Sequence, residues 1–183
     1  MQAWIGIGAN LGDPQATVRA AIAALQGLAH NRLVKASRLW RTRPLEASGP
    51  DYINAVARID TRLTPQALLA ELLALEQRYG RRRDRASGQI NAPRPLDLDL
   101  LWMGDLQIDD PGPPALTLPH PRASRRAFVL APLADIDPNF RLPNGEAVLA
   151  VLARLREDDA QSVVPLSESG LPGSCDCTPE CSP

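Results

Sequence analysis

Hydrophobic and polar positions alternate from Gln2 to Ala9, with Trp4 and Gly6 on one side and Ile5 and Ile7 on the other, which predicts a strand. Gly8-Ala9-Asn10-Leu11-Gly12 reads as a turn, and Asp13-Pro14 as a helix start with the carboxylate at the N-cap and proline in the first helical position. Val18, Ala21, Ile22 and Leu25 then recur at helical spacing. Leu33 to Trp40 predicts a second strand, which Pro44 in Thr42-Arg43-Pro44-Leu45 cannot extend. Tyr52 to Asp60 predicts a third strand, with Ile53, Ala55, Ala57 and Ile59 on one face and Tyr52, Asn54, Val56 and Arg58 on the other. Thr64-Pro65 repeats the helix-start signature. Leu68, Leu69, Leu72, Leu73 and Leu75 line that helix, and Gly80 is a C′ candidate. Leu96 to Met103 predicts a fourth strand, turned at Gly104-Asp105.

The order is βαββαβ. It predicts an α+β, ferredoxin-like domain, an antiparallel sheet with helices on one face. Beyond it lie a proline-rich loop at 109–114, an apolar stretch at 127–133 and a last helix at 147–155. From residue 157 the chain is rich in Ser, Pro, Asp and Glu, so one domain over 1–156 and a disordered tail over 157–183 are expected.

The 183 residues suit one domain with a sizeable core. No apolar run approaches the roughly 20 residues that span a bilayer. Met1-Gln2-Ala3-Trp4 lacks the basic start of a signal peptide, so a cytoplasmic protein without a membrane partner is expected. Cys175, Cys177 and Cys181 cluster in the last nine residues and fall short of a four-ligand zinc site. A net charge of −1 hides a basic segment: arginines 78, 81, 82, 83, 85 and 94 face the single acid Asp84. That concentration suits a compact anionic ligand better than a nucleic-acid track. Aromatics at 4% also leave the strands without the stacking surface of an RNA-binding sheet.

The strongest chemical signal is Arg94-Pro95-Leu96-Asp97-Leu98-Asp99. Residues two apart on a strand share a face, so both carboxylates project together while the leucines enter the core. Aspartate is disfavoured in strands, and a paired set needs a cation between its members. Hard oxygen ligands suit Mg²⁺ bridging to phosphate, and the guanidinium forks of Arg81, Arg82, Arg83, Arg85 and Arg94 suit phosphate oxygens. Together they have the composition of a phosphoryl-transfer site. The P-loop sequence is missing, and Gly6, Gly8 and Gly12 do not complete a dinucleotide fingerprint. A metal-dependent phosphohydrolase and a non-catalytic interaction domain are the competing readings.

Taken together, Ile7-Gly8-Ala9-Asn10-Leu11-Gly12, Thr42-Arg43-Pro44-Leu45, Asp51-Tyr52-Ile53-Asn54-Ala55, Leu75-Glu76 through Arg83, Ala92 through Asp99, and Leu118-Pro119-His120-Pro121-Arg122 through Leu130 resemble the 6-hydroxymethyl-7,8-dihydropterin pyrophosphokinase family of folate biosynthesis. The resemblance covers roughly residues 2–140. It implies transfer of the β,γ-diphosphate of ATP to the pterin hydroxymethyl oxygen, with release of AMP. Asp97 and Asp99 would hold two Mg²⁺ ions, and Arg83 and Arg94 would act with them in catalysis. Glu76, Arg83, Arg94, Thr117, His120 and Arg126 would bind ATP. Thr42, Arg43, Pro44, Leu45, Tyr52, Asn54 and Phe128 would bind the pterin, with Tyr52 and Phe128 stacking on its ring. It implies ATP and the pterin as small-molecule partners, no nucleic acid, and a monomer. Ala9 stands where many members have serine, Ala115 where some have arginine, and residues 86–92 lack an aromatic-glycine pair.

Overall fold

The computed structural model describes residues 1–44, 49–80, 94–157 and 162–167. Leu45, Arg83, most of the arginine segment and the three cysteines fall outside them. The first strand, β1 (Gln2–Ala9), runs into α1 (Pro14–Gly27). Asp13 caps this helix by accepting a 3.0 Å bond from the Ala16 amide. Two short strands follow, β2 (Asn31–Ala36) and β3 (Trp40–Thr42), then the long β4 (Tyr52–Thr61). Thr64 caps α2 (Pro65–Arg78) through the Ala67 amide at 3.2 Å, and Gly80 takes the positive φ of a C′ residue. β5 (Asp97–Met103), the ribbon β6 (Ile108–Asp110) and β7 (Leu116–Leu118), α3 (Ala127–Ile136), α4 (Val148–Leu155) and β8 (Val163–Pro165) complete the order.

The main sheet is antiparallel in the order β5-β1-β4-β3-β8, and β2 shares the β4 edge with β3. The strand expected from Leu33 to Trp40 is therefore two strands. Ser37 breaks it: its Oγ takes the Val56 amide proton at 3.0 Å, so the backbone can leave the ladder while Val56 stays satisfied. The tail expected from residue 157 did not include β8, which pairs with β3 from Thr42↔Val163 to Trp40↔Pro165.

Helices cover both faces of the sheet, which corrects the one-face expectation. Ile5, Ile7, Ile53, Ala57, Leu98 and Leu100 pack with Leu25, Leu68 and Leu72 of α1 and α2. Trp4, Trp40, Val56 and Trp102 pack on the opposite side with Leu130 and Leu133 of α3 and Val151 and Leu152 of α4. Among the described residues no helix is long and apolar enough to cross a membrane.

Candidate functional site

The carboxylates, the amide and the stacking ring predicted above sit on the face shared with α3 and α4, near the sheet end that carries Gly8. The register aligns them. Gly8 pairs with Asn54 on one side and Asp97 on the other, and Gly6 pairs with Val56 and Asp99. Directly paired residues share a face, so Asp97, Gly8 and Asn54 form one row across three strands. Neighbouring strands lie about 4.8 Å apart, which separates the ends of the row by about 10 Å. Glycine leaves the middle bare. A Cβ at Gly8 would come within 3.1 Å of Asn54 Oδ1, so the amide occupies room that any side chain would need.

At one end of the row, Asn54 is 6% exposed and donates from Nδ2 to Thr42 Oγ1 at 2.8 Å. Thr42 faces Tyr52 in the ladder. Burial raises the Tyr52 phenol above its ordinary range, with Arg94 opposing and Asp97 reinforcing the shift. Arg43 is exposed, and Pro44 and Phe128 are half-buried. The Arg126 guanidinium lies 5.2 Å from the Phe128 ring centroid and covers one ring face.

At the other end, Arg94 Nη1 donates to Asp97 Oδ2 at 2.9 Å. Leu98 and Leu100 are buried while both aspartates stay partly open, as the alternation predicts. His120 arrives on the turn after β7, where its amide bonds Leu101 O of β5 at 2.9 Å. Burial is the main cause that lowers its imidazole below the ordinary range. Asp99 and Asp97 pull it up, and Arg126 and Arg122 push it down. His120 Nδ1 accepts the Arg122 amide proton at 3.3 Å, which leaves Nε2 as the protonated nitrogen of the neutral ring. Burial also lowers Arg126, and Arg122, Asp99, Asp97 and Arg94 all act on it electrostatically. The basic and acidic side chains predicted from separate segments therefore share one electrostatic neighbourhood.

Two more of the predicted ligand residues lie on β7 and α2. Thr117 is exposed on β7 and donates to Asp109 Oδ1 at 3.3 Å. Glu76 is 1% exposed, and its Oε1 accepts the Leu98 amide at 2.8 Å. That bond ties the carboxylate to β5.

Three further residues belong to the site. Arg122 is part of its charge set. Gly8 forms its floor. Asn10, 4% exposed, clasps three segments: Oδ1 accepts the Arg94 amide at 2.9 Å, its own amide reaches Arg94 O at 3.3 Å, and Nδ2 reaches Pro50 O at 3.4 Å. A polar residue in the turn after a strand is ordinary, so its partners could be found only in three dimensions.

Among the described residues no set of three His, Cys, Asp or Glu side chains could hold a metal. Asp97 and Asp99 are two hard oxygen donors on one face. That pair fits Mg²⁺, which commonly takes one or two carboxylates and fills its shell with water and substrate phosphates.

Residues 4–138 match the 7,8-dihydro-6-hydroxymethylpterin-pyrophosphokinase (HPPK) family. A Pseudomonas aeruginosa protein named 2-amino-4-hydroxy-6-hydroxymethyldihydropteridine pyrophosphokinase is 42% identical over 151 residues, 82% of this chain and 89% of that protein. A Haemophilus influenzae protein of the same name is 36% identical over 156 residues, 85% and 93% of the two chains. Similar folds occur in an HPPK-DHPS crystal structure in complex with substrates (TM-score 0.67, 14% identical, 85% of this chain and 43% of that one). Plasmodium falciparum HPPK-DHPS with pteroate is comparable (TM-score 0.68, 11% identical, 91% and 46%). The chain thus spans less than half of either of those longer chains, and the likeness to them is one of fold, ferredoxin-like in architecture.

Proposed function

The chain belongs to the HPPK family, and from that premise we propose that it moves the β,γ-diphosphate of ATP onto the hydroxymethyl oxygen of 6-hydroxymethyl-7,8-dihydropterin and releases AMP, a step of folate biosynthesis. The reading is carried by the row Asp97, Gly8, Asn54. It sets a cation-binding carboxylate and a heterocycle-binding amide on either side of a floor without a side chain. A triphosphate at the aspartate end and a pterin at the amide end would bring the hydroxymethyl oxygen toward the β-phosphorus above Gly8.

The pterin end would bind a flat heterocycle by its edge and its faces. Asn54, fixed by Thr42, would offer its Oδ1 to the edge, and the family resemblance would assign Arg43, Pro44 and Leu45 to the same end. Tyr52 and Phe128 would supply stacking surface. At the phosphate end, Arg94 and Arg126, with Arg83 from the arginine segment and the nearby Arg122, would take phosphate oxygens by charge. His120, whose imidazole is lowered mainly by burial, would donate a hydrogen bond from Nε2. Thr117, on the exposed side of β7, would border the nucleotide. Two Mg²⁺ ions held by Asp97 and Asp99 would supply neutralisation of the triphosphate.

In the transfer, the pterin oxygen bonds to the β-phosphorus and the bridge to the α-phosphorus breaks. AMP leaves and the hydroxyl proton is lost, and Asp97, paired with Arg94, would be its acceptor. Positioning and charge provide most of the rate in such chemistry. Asp97→Ala should therefore lower AMP release from ATP plus the pterin by at least about a hundredfold, with circular dichroism unchanged. Turnover near that of the unaltered protein would contradict the assignment.

A further inference from the structure

Among the described residues β5 is an edge strand of the main sheet, with β1 as its only strand neighbour. An edge strand presents backbone donors that no ladder satisfies, and it frays or re-pairs more readily than an inner one. Both metal-ligand candidates project from it. The Leu98 amide, between Asp97 and Asp99, is directed away from β1 and finds Glu76 Oε1 at 2.8 Å. Glu76 comes from the last turns of α2, a helix anchored under the sheet by Leu68, Leu72 and Leu75. Only 1% of Glu76 is exposed, although burying a carboxylate is costly without strong partners. A water-filled edge would satisfy the same amide more cheaply. The burial is understandable if the bond fixes something that water cannot fix.

We propose that Glu76 is a positioning residue: by holding the Leu98 amide it stands in for the missing neighbour strand and fixes the spacing of the Asp97 and Asp99 carboxylates for the metal–nucleotide complex. This rests on the proposed reading of that pair. Glu76 would act through the strand, by its bond to the Leu98 amide. What the arrangement requires of it is an acceptor oxygen at the right reach, and the negative charge is secondary.

Two substitutions separate reach from charge. Glu76→Gln keeps an acceptor at the same distance and removes the charge, whereas Glu76→Asp keeps the charge and shortens the side chain by one methylene. Binding of Mg²⁺ with α,β-methylene-ATP is measured by calorimetry, and exchange of the Leu98 amide by NMR. Glu76→Gln should stay within about threefold of the unaltered affinity with Leu98 still protected. Glu76→Asp should lose about tenfold or more, with faster exchange at Leu98, the scale of one charge-assisted hydrogen bond. The reverse order, equal losses in both, or no loss in either would overturn the proposal. Should either variant fail to fold, exchange in the unaltered protein decides: slow exchange at Leu98 supports the proposal, and exchange at the rate of an open edge amide overturns it. These readouts need no pterin turnover, so a chain that binds the nucleotide but makes no AMP would defeat the functional reading alone.

Discussion

A methyl group added at Gly8 would meet Asn54 Oδ1 at 3.1 Å, tighter than ordinary contact. Asn54 is held by Thr42 and has little freedom to retreat. Gly8→Ala should therefore displace the amide and raise the pterin dissociation constant by about tenfold, a loss typical of one hydrogen bond to a buried polar group. Nucleotide affinity should change far less. Equal weakening of both ligands, measured by calorimetry, would show that Gly8 serves the sheet and not the pterin end. His120 allows a second test at this scale. Its folded-state value lies below the ordinary 6.5, mainly through burial. Between the two values the unfolded chain binds a proton that the folded chain does not, so stability falls as pH drops through that window. Melting temperatures at about pH 5.5 and 7.5 should differ more for the unaltered protein than for His120→Asn. Equal differences would contradict the burial effect.

The elements of the first half were legible because each carries its own signal. Asp13-Pro14 and Thr64-Pro65 cap their helices as read, and the Asp97/Asp99 alternation survives in the burial of β5. The Ser37 break was not legible, because it depends on a side chain meeting Val56 of another strand. β8 is three residues in a polar stretch and exists through its pairing with β3. α3 reads only as apolar. Pro132 lies inside it and cannot donate to the Phe128 carbonyl, so helical signals are mixed there. The pterin candidates and the acids each carry their own signal in the sequence, but Asn10, which bonds to Arg94 and Pro50, was given no role. Removing its side chain by Asn10→Ala strands the Arg94 amide and should cost about 1–3 kcal/mol of stability in urea denaturation. Asn10→Asp keeps the Oδ1 acceptor and should cost less. An unchanged midpoint for Asn10→Ala would show that the clasp carries no energy.

At the scale of the molecule, two helical layers pack on opposite faces of one sheet. α3 and α4 cover the region around Trp4, Trp40 and Trp102. Near the sheet end that carries Gly8, Asn54, Gly8 and Asp97 line up across β4, β1 and β5, with Asp99 one pair further along. A chain with a net charge of −1 sets Arg94, Arg122 and Arg126 in the electrostatic neighbourhood of Asp97 and Asp99, so attraction for a polyanionic ligand is local and not global. The account therefore stands or falls on which phosphorus is attacked. Phosphorus-31 NMR of the products from ATP, Mg²⁺ and 6-hydroxymethyl-7,8-dihydropterin reads this directly. Diphosphate transfer predicts AMP and a pterin diphosphate ester in equal amounts, with no turnover when the pterin is left out. Formation of ADP, or phosphate release from ATP alone, would contradict it.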